Sequence, residues 1–232
     1  MRINKYLSFA GFASRRKADE LIKEGKITIN DRIAILGDEV SKKDIVKCED
    51  TIIKRKSNDV ILLFNKPKGI VCTSEKREKN NIIDYINYPV RIFNVGRLDR
   101  DSHGLILLTN MGELSNKVLK ARNYHEKEYI VTVDKKITDG FLKCLREGIY
   151  LKDLETTTRP CKVWKTKDKE FHIILTQGLN RQIRRMCKEC HYKVTDLFRI
   201  RIMNLDITGI KEGKYREIKE LEYNELLKIL HY

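Results

Sequence analysis

The stretch RIFNVGRLDRDSHGLILLT, residues 91–109, sets two apolar segments on either side of a short polar loop. Residues 91–95 and 105–109 are dense in Ile, Leu, Val and Phe, and each predicts a buried strand. Between them runs Gly96-Arg97-Leu98-Asp99-Arg100-Asp101-Ser102-His103-Gly104, bounded by glycine at both ends. A loop anchored on two strands is rigid enough to position a nucleophile, and adjacent arginines favour the ionised form of a carboxylate such as Asp99. By spacing alone the plainer alternative is the stronger one: a surface loop in which Asp99 pairs locally with Arg97 or Arg100.

Outward from this loop, residues 60–64 read as a buried strand stopped by Pro67 and Gly69. A helix is predicted over residues 113–121 and a strand over 128–133. Residues 137–148 read as a helix with Phe141, Leu142 and Leu145 on one side, 161–176 as a hairpin and 180–190 as an arginine-rich helix. Residues 196–208 predict a strand pair or one long strand, and 222–230 a closing helix. Strands and helices mix without strict β-α-β alternation, so the expected class is α+β with a mixed, largely antiparallel sheet flanked by helices.

Upstream, residues 1–58 read as a separate small α/β unit. Ile3, Tyr6 and Leu7 are spaced for a short helix ended by Gly11. Ser14 is a good N-cap for a second helix with Ala18, Leu21 and Ile22 on one face, closed by Gly25. Ile27 and Ile29 alternate as in a strand, and Asn30-Asp31 is a turn signal before the apolar residues 33–36. The polar run at residues 54–59 makes a linker. Two domains follow, 1–58 and 59–232, with no internal repeat.

Of 232 residues, 41% are hydrophobic and 35% charged, and 48 basic residues against 33 acidic ones give a net charge of +15. Such a surplus is either a solvated lysine-rich surface or a polyanion-binding face, since Lys and Arg that neutralise phosphate release counterions. No apolar run approaches the ~20 residues that span a bilayer, and none resembles a signal peptide, so a cytoplasmic protein is expected. The six cysteines are scattered, and Cys187 and Cys190 form a lone CxxC without a second pair; reduced thiols and no zinc site are expected. His125-Glu126 lacks the second histidine of a zincin, Asp101-Ser102-His103 cannot converge as a triad, and neither phosphate-binding glycine motif occurs.

RINKYLSFAGFASRRKADELIKEGKITIN, residues 2–30, resembles an S4-type RNA-binding domain. Ser14-Arg15-Arg16-Lys17 stands at a helix amino terminus, where free N–H groups and adjacent cations suit phosphate. Charge alone does not settle the matter, because fourteen basic residues face ten acidic ones up to Asp59. The resemblance implies that Arg2, Lys5, Ser14, Arg15, Arg16, Lys17 and Lys26 contact RNA.

GRLDRDSHGLILLTNMG (residues 96–112), HEKEYIVTV (125–133) and QGLNRQIRRMC (177–187) together resemble the pseudouridine synthases of the RsuA/RluB/RluE/RluF branch, most of all the RluF type. The resemblance implies that Asp99 is catalytic, that Tyr129 packs on the target base and that Arg184 holds Asp99 in a bidentate pair. Arg184 stands where some members carry lysine, and Ser102 where threonine is commoner. Arg97 is implied to fill the position of the flipped base, with Leu98, Arg100, Arg181, Gln182, Ile183 and Arg185 completing the RNA-facing set. Leu98 also reads as core. The implied reaction needs no cofactor and no metal, and the implied partner is 23S ribosomal RNA, with a transfer RNA as a further candidate. Two other readings stay open: a non-catalytic ribosome-assembly protein, and a hydrolase or transferase using Asp99 on nucleotides.

Overall fold

The computed structural model describes residues 1–54 and 58–231, so residues 55–57 of the expected linker lie outside the described residues. The chain divides into two compact units. The first comprises Met1–Val60 with Tyr88–Ile92 and Asn110–Gly112, and the second comprises the remainder. Asn110 explains why a late segment clusters with the first unit. Its side chain accepts a hydrogen bond from the Val60 N–H (3.0 Å) and donates one to the Asn58 carbonyl (2.8 Å).

In the first unit α1 (Ile3–Phe9) and α2 (Arg15–Lys23) precede four short strands, β1 (Ile27–Ile29), β2 (Arg32–Ile33), β3 (Val46–Cys48) and β4 (Thr51–Ile52). The Ser14 hydroxyl caps α2 by accepting from the Lys17 N–H. Asn30 and Asp31 both take positive φ, the backbone a two-residue hairpin turn demands. The sheet order is β2-β1-β3-β4. Ile3, Leu7, Ala18, Ile22, Ile27 and Ile29 form a common core with Val40, Val46 and Ile53. The apolar residues 33–36 are only partly strand: Ile35 and Leu36 lie beyond β2 and are exposed.

The second unit opens with β5 (Ile61–Lys66), α3 (Ile82–Ile86), β6 (Phe93–Val95), β7 (His103–Thr109), α4 (Gly112–Leu119) and β8 (Lys127–Val133). It continues with α5 (Asp139–Glu147), β9 (Tyr150–Leu151), β10 (Thr156–Thr157), β11 (Lys162–Lys167) and β12 (Glu170–Leu175). It ends with α6 (Gln182–Glu189), β13 (Val194–Ile202), β14 (Leu205–Asp206), β15 (Tyr215–Glu217) and α7 (Glu220–Ile229). A nine-stranded sheet runs β11-β12-β8-β13-β7-β5-β15, with β14 on β13 and β6 on β7. Its pairs are antiparallel except β13 with β7. The mixed, largely antiparallel α+β class read from the sequence is the observed one, and residues 196–208 resolve into the strand pair β13–β14.

Central strands β5 and β7 are buried almost throughout, which is why residues 61–64 and 105–108 are unbroken apolar runs. β12 alternates instead: Phe171, Ile173 and Leu175 enter a core shared with Val131, Phe141, Leu145 and Met186. Each such side chain contributes about 1.5–3 kcal/mol by leaving water. β7 changes partner along its length. Its start pairs with β13 (Phe198↔His103, Arg199↔Gly104) and its end with β6 (Val95↔Leu107, Phe93↔Thr109). The loop from Gly96 to Ser102 emerges where the sheet switches from β6 to β13.

Candidate active site

The Asp99 loop is held by backbone and sulfur contacts. The Ser102 N–H donates to the Asp99 carbonyl (3.1 Å), the Gly69 N–H to the Arg100 carbonyl (2.8 Å) and the Leu98 N–H to Cys72 Sγ (3.4 Å). Leu98 is buried beneath the loop as an anchor. The turn that carries Gly69 is itself wrapped around Lys66. This wholly buried ammonium donates to the carbonyls of Pro67 (2.8 Å) and Ile70 (2.9 Å), and burial pushes its pKa below the usual lysine value. At the other end, Gly104 has φ +105°, and a Cβ there would stand 2.3 Å from the Arg199 carbonyl oxygen. Only glycine allows β7 and β13 to approach so closely at the foot of the loop.

Asp99 lines a cleft of about 500 Å³ in the second unit, together with Arg97, Tyr129, Lys127, Arg181 and Arg199. Among the described residues its ion partners are not its chain neighbours Arg97 and Arg100 but Arg181 (Nη1 to Oδ2, 3.5 Å) and Arg184 (Nε to Oδ2, 3.8 Å). The expected bidentate Arg184–Asp99 fork is therefore replaced by one long approach. The remaining Arg184 nitrogens are engaged elsewhere: Nη2 donates to Ser102 Oγ (3.0 Å) and to the Asp101 carbonyl, and Nη1 to the Val194 carbonyl. Ser102 thus does with its hydroxyl what the commoner threonine could do. Burial raises the Asp101 pKa, but the guanidinium groups of Arg184 and Arg181 outweigh it and bring the carboxyl below its usual value.

The arginine-rich helix delivers these groups by an unusual start. Arg181 occupies the N-cap of α6 in a left-handed conformation (φ 51°), and Arg184 follows one turn on. Gln182 and Ile183 are buried and form packed walls of the cleft, with the side-chain carbonyl of Gln182 accepting from the Leu179 N–H. Arg185 points into structure: its Nε donates to the Asn180 carbonyl (3.0 Å) and Nη1 pairs with Asp153. Arg97 and Arg100 are exposed, Arg97 on the cleft wall.

Tyr129 sits mid-strand in β8, opposite Arg199 of β13 and Ile173 of β12. The Arg199 guanidinium lies 5.9 Å from the Tyr129 ring centre. Residues 127, 129, 131 and 133 share one face of β8; Val131 and Val133 continue into the core, while Lys127 and Tyr129 line the cleft. Burial, reinforced by Arg199, holds the Lys127 amine down at about 8. Arg199 is 3% exposed, donates to the Leu105 carbonyl (2.6 Å) and leaves Nη2 without a partner. Sequence reasoning does not single out Lys127 or Arg199. Each is one polar residue in a strand, and only a buried cation's position distinguishes it from a surface one.

In the first unit, Arg2, Arg15, Arg16, Lys17, Lys26 and Ser14 are exposed, and Lys5 is half-buried. Lys17 pairs with Glu20 (2.9 Å) and Lys26 with Glu24 (2.8 Å), both pairs in the open where they contribute little. Burial pushes the thiols of Cys187 and Cys190 up, and Cys190 Sγ lies 3.2 Å from Cys144 Sγ. Among the described residues, no group of three or more His, Cys, Asp or Glu is placed to hold a metal, and no helix is long and apolar enough to cross a membrane.

Residues 60–189 match the family described as RNA pseudouridylate synthase, and residues 1–46 match the S4 domain. A Salmonella typhi protein named dual-specificity RNA pseudouridine synthase RluF is 49% identical, over 99% of this chain and 79% of that protein. The Bacillus subtilis ribosomal large subunit pseudouridine synthase B is 34% identical, over 97% and 95%. A crystal structure of a pseudouridylate synthase superposes with a TM-score of 0.73 at 27% identity, covering 97% of this chain and 99% of the other.

Proposed function

The chain belongs to the RNA pseudouridylate synthase family, and from that premise we propose that it acts in the cytoplasm on a uridine of 23S ribosomal RNA, with Asp99 as its catalytic residue and a transfer RNA uridine as a further substrate. The names of its relatives support the substrate, one being a dual-specificity and another a large-subunit enzyme. The observation that carries the site is the approach of Arg181 and Arg184 to within 4 Å of the Asp99 carboxylate, which lines a cleft together with Arg181 and Tyr129.

Pseudouridine formation breaks the N1–C1′ bond, turns the uracil and joins C5 to C1′. C5 gives up a proton and N1 gains one, so the step is a redox-neutral isomerisation with no group donor. Asp99 attacks C1′ or C6, or removes a sugar proton on the glycal route, and each route starts from an ionised carboxylate. Arg181 and Arg184 hold that carboxylate and compensate its charge against an incoming polyanion. Tyr129 stacks on the uracil, and its hydroxyl helps to move the C5 proton. The uridine reaches the cleft only by leaving its stack, and Arg97 on the cleft wall fills the vacated place. The exposed Arg2, Ser14, Arg15, Arg16, Lys17 and Lys26 of the S4 domain, with Lys5, grip phosphates, and Arg100 adds to the grip near the cleft.

Asp99→Asn tests the reading. The variant binds ribosomal RNA within about twofold of the parent, because one neutralised carboxylate changes little in a many-phosphate interface. It forms no pseudouridine, read as tritium release from 5-tritiated uridine. Turnover equal to the parent's would remove Asp99 from the chemistry, and a non-catalytic assembly protein would release no tritium with either chain.

A further inference from the structure

Among the described residues, the cleft that holds Asp99 is lined by the cations Arg97, Lys120, Lys127, Arg181 and Arg199 and by a single carboxylate, Asp99 itself. Arg181 approaches that carboxylate, whereas Lys127 stands two residues from Tyr129 on the same face of β8. The strand neighbours opposite Lys127 are apolar, Leu175 of β12 and Ile202 of β13. The lysine is half-buried, and among the described residues its amine pairs with no carboxylate. It makes one long hydrogen bond, to the His125 carbonyl (3.4 Å), which leaves two of the three ammonium donors unused. The charged and titratable groups around it are Arg199 of β13, Arg97 and Asp99 of the loop, Arg181 at the start of α6, Lys120 just beyond α4, and His125. Burial holds the His125 ring below the usual histidine pKa. Burial also lowers the lysine amine to about 8, and Arg199 reinforces it.

A cation taken out of water beside another cation costs folding free energy and calls for negative charge close by. The reaction supplies that charge. When the Asp99 carboxylate attacks C1′, the electron pair of the N1–C1′ bond stays with the uracil and spreads over N1, O2 and O4. On the glycal route the base leaves as the same anion, and attack at C6 makes an enolate on O4. By each route the unit of charge that began on Asp99 passes to the base. Two residues on one face of a strand stand about 6.8 Å apart, so a uracil resting on the Tyr129 ring brings an edge within reach of the lysine's four-carbon stem.

We propose that Lys127 is a further catalytic residue, whose ammonium donates to a carbonyl oxygen of the target uracil and stabilises the negative charge that passes to the base. The lysine keeps its proton throughout, so the proton lost from C5 still balances the one gained at N1. The inference rests on the RNA-modifying reading above.

The test compares the full chain with Lys127→Met, which keeps an unbranched stem without the charge. Tritium release from 5-tritiated ribosomal RNA gives kcat/KM from pH 7 to 9.5, and filter binding at pH 7 gives the affinity. At pH 7 the variant's kcat/KM should be lower by on the order of a hundredfold, as when one preorganised donor to a developing oxyanion is removed. Its RNA affinity should stay within about threefold of the parent's, since one lysine is one contact among many. Because kcat/KM follows the free enzyme, the parent should lose roughly tenfold per pH unit above about 8. The ratio of parent to variant should therefore shrink to roughly threefold by pH 9.5. Ionisation of the uracil acts on both chains alike and cancels in that ratio. A lysine that only shaped the cleft would give a ratio independent of pH. That result would overturn the proposal, as would equal turnover in the two chains at pH 7 or an affinity that falls in step with turnover. A parent that releases no tritium would instead remove the RNA-modifying reading beneath it.

Discussion

Lys127 shows what a single residue's surroundings add to its letter. In sequence it is one of many lysines; in β8 it faces the cleft on the same side as Tyr129, next to the buried Arg199. Its amine falls from 10.5 to about 8 on folding. Between those values the unfolded chain binds the proton more strongly, so stability rises with pH across that window, and the charge is a burden to the fold below it. Lys127→Met should therefore be more stable than the parent at pH 7, by at most roughly 3 kcal/mol, and the advantage should shrink as pH rises from 8 toward 10. Urea unfolding at pH 7 and 9.5 checks this; an advantage that grows with pH contradicts the assignment. Asp99 could be named as a candidate from the sequence because its loop carries a family pattern. Lys127 and Arg199 were not, because their role depends on burial across strands that pair far apart in the chain.

At the scale of elements, the Asp99 loop depends on the seam between β7 and β13. Gly104 lets the strands meet, Lys66 holds the turn that donates to Arg100, and α6 enters at Arg181 to bring two guanidinium groups to Asp99. Gly104→Ala should destabilise the second unit by about 2–5 kcal/mol, since the methyl meets backbone rather than a yielding side chain and the φ is strained. Gly112→Ala, with open space around its Cβ, should stay within about 0.5 kcal/mol. Thermal unfolding distinguishes them, and equal midpoints would mean the seam relaxes freely. The long runs behind β5, β7 and α6 were readable because their periodicity is local. β15 and the short strands β3 and β4 were not: each has two or three residues, and β15 exists only by pairing with β5 from the opposite end of the unit. The hydroxyl cap of α2 was readable, whereas the left-handed arginine that starts α6 carries no propensity signal.

Across the whole molecule the charge is unequally divided. Up to Asp59 fourteen basic residues face ten acidic ones, while from Val60 onward the surplus is thirty-four against twenty-three. On the proposed RNA-binding reading, most of the nonspecific attraction belongs to the second unit, and the S4 unit is expected to contribute a few placed phosphate contacts rather than a broad field. A double change of Arg15→Ala and Arg16→Ala removes two exposed cations at the start of α2 without touching its cap. RNA affinity should fall similarly for different RNA sequences, and the slope of log affinity against log salt should become shallower by roughly 0.7–0.9 for each phosphate that is no longer neutralised. Arg97→Ala, on the cleft wall, should instead lower turnover more than affinity, because the role proposed for Arg97 begins once the base has left the stack. Filter binding across a salt series, with tritium release measured on the same samples, separates the two effects. A salt slope unchanged by the Arg15/Arg16 pair would mean that the S4 unit meets RNA through another face, and would leave the two helices as scaffold.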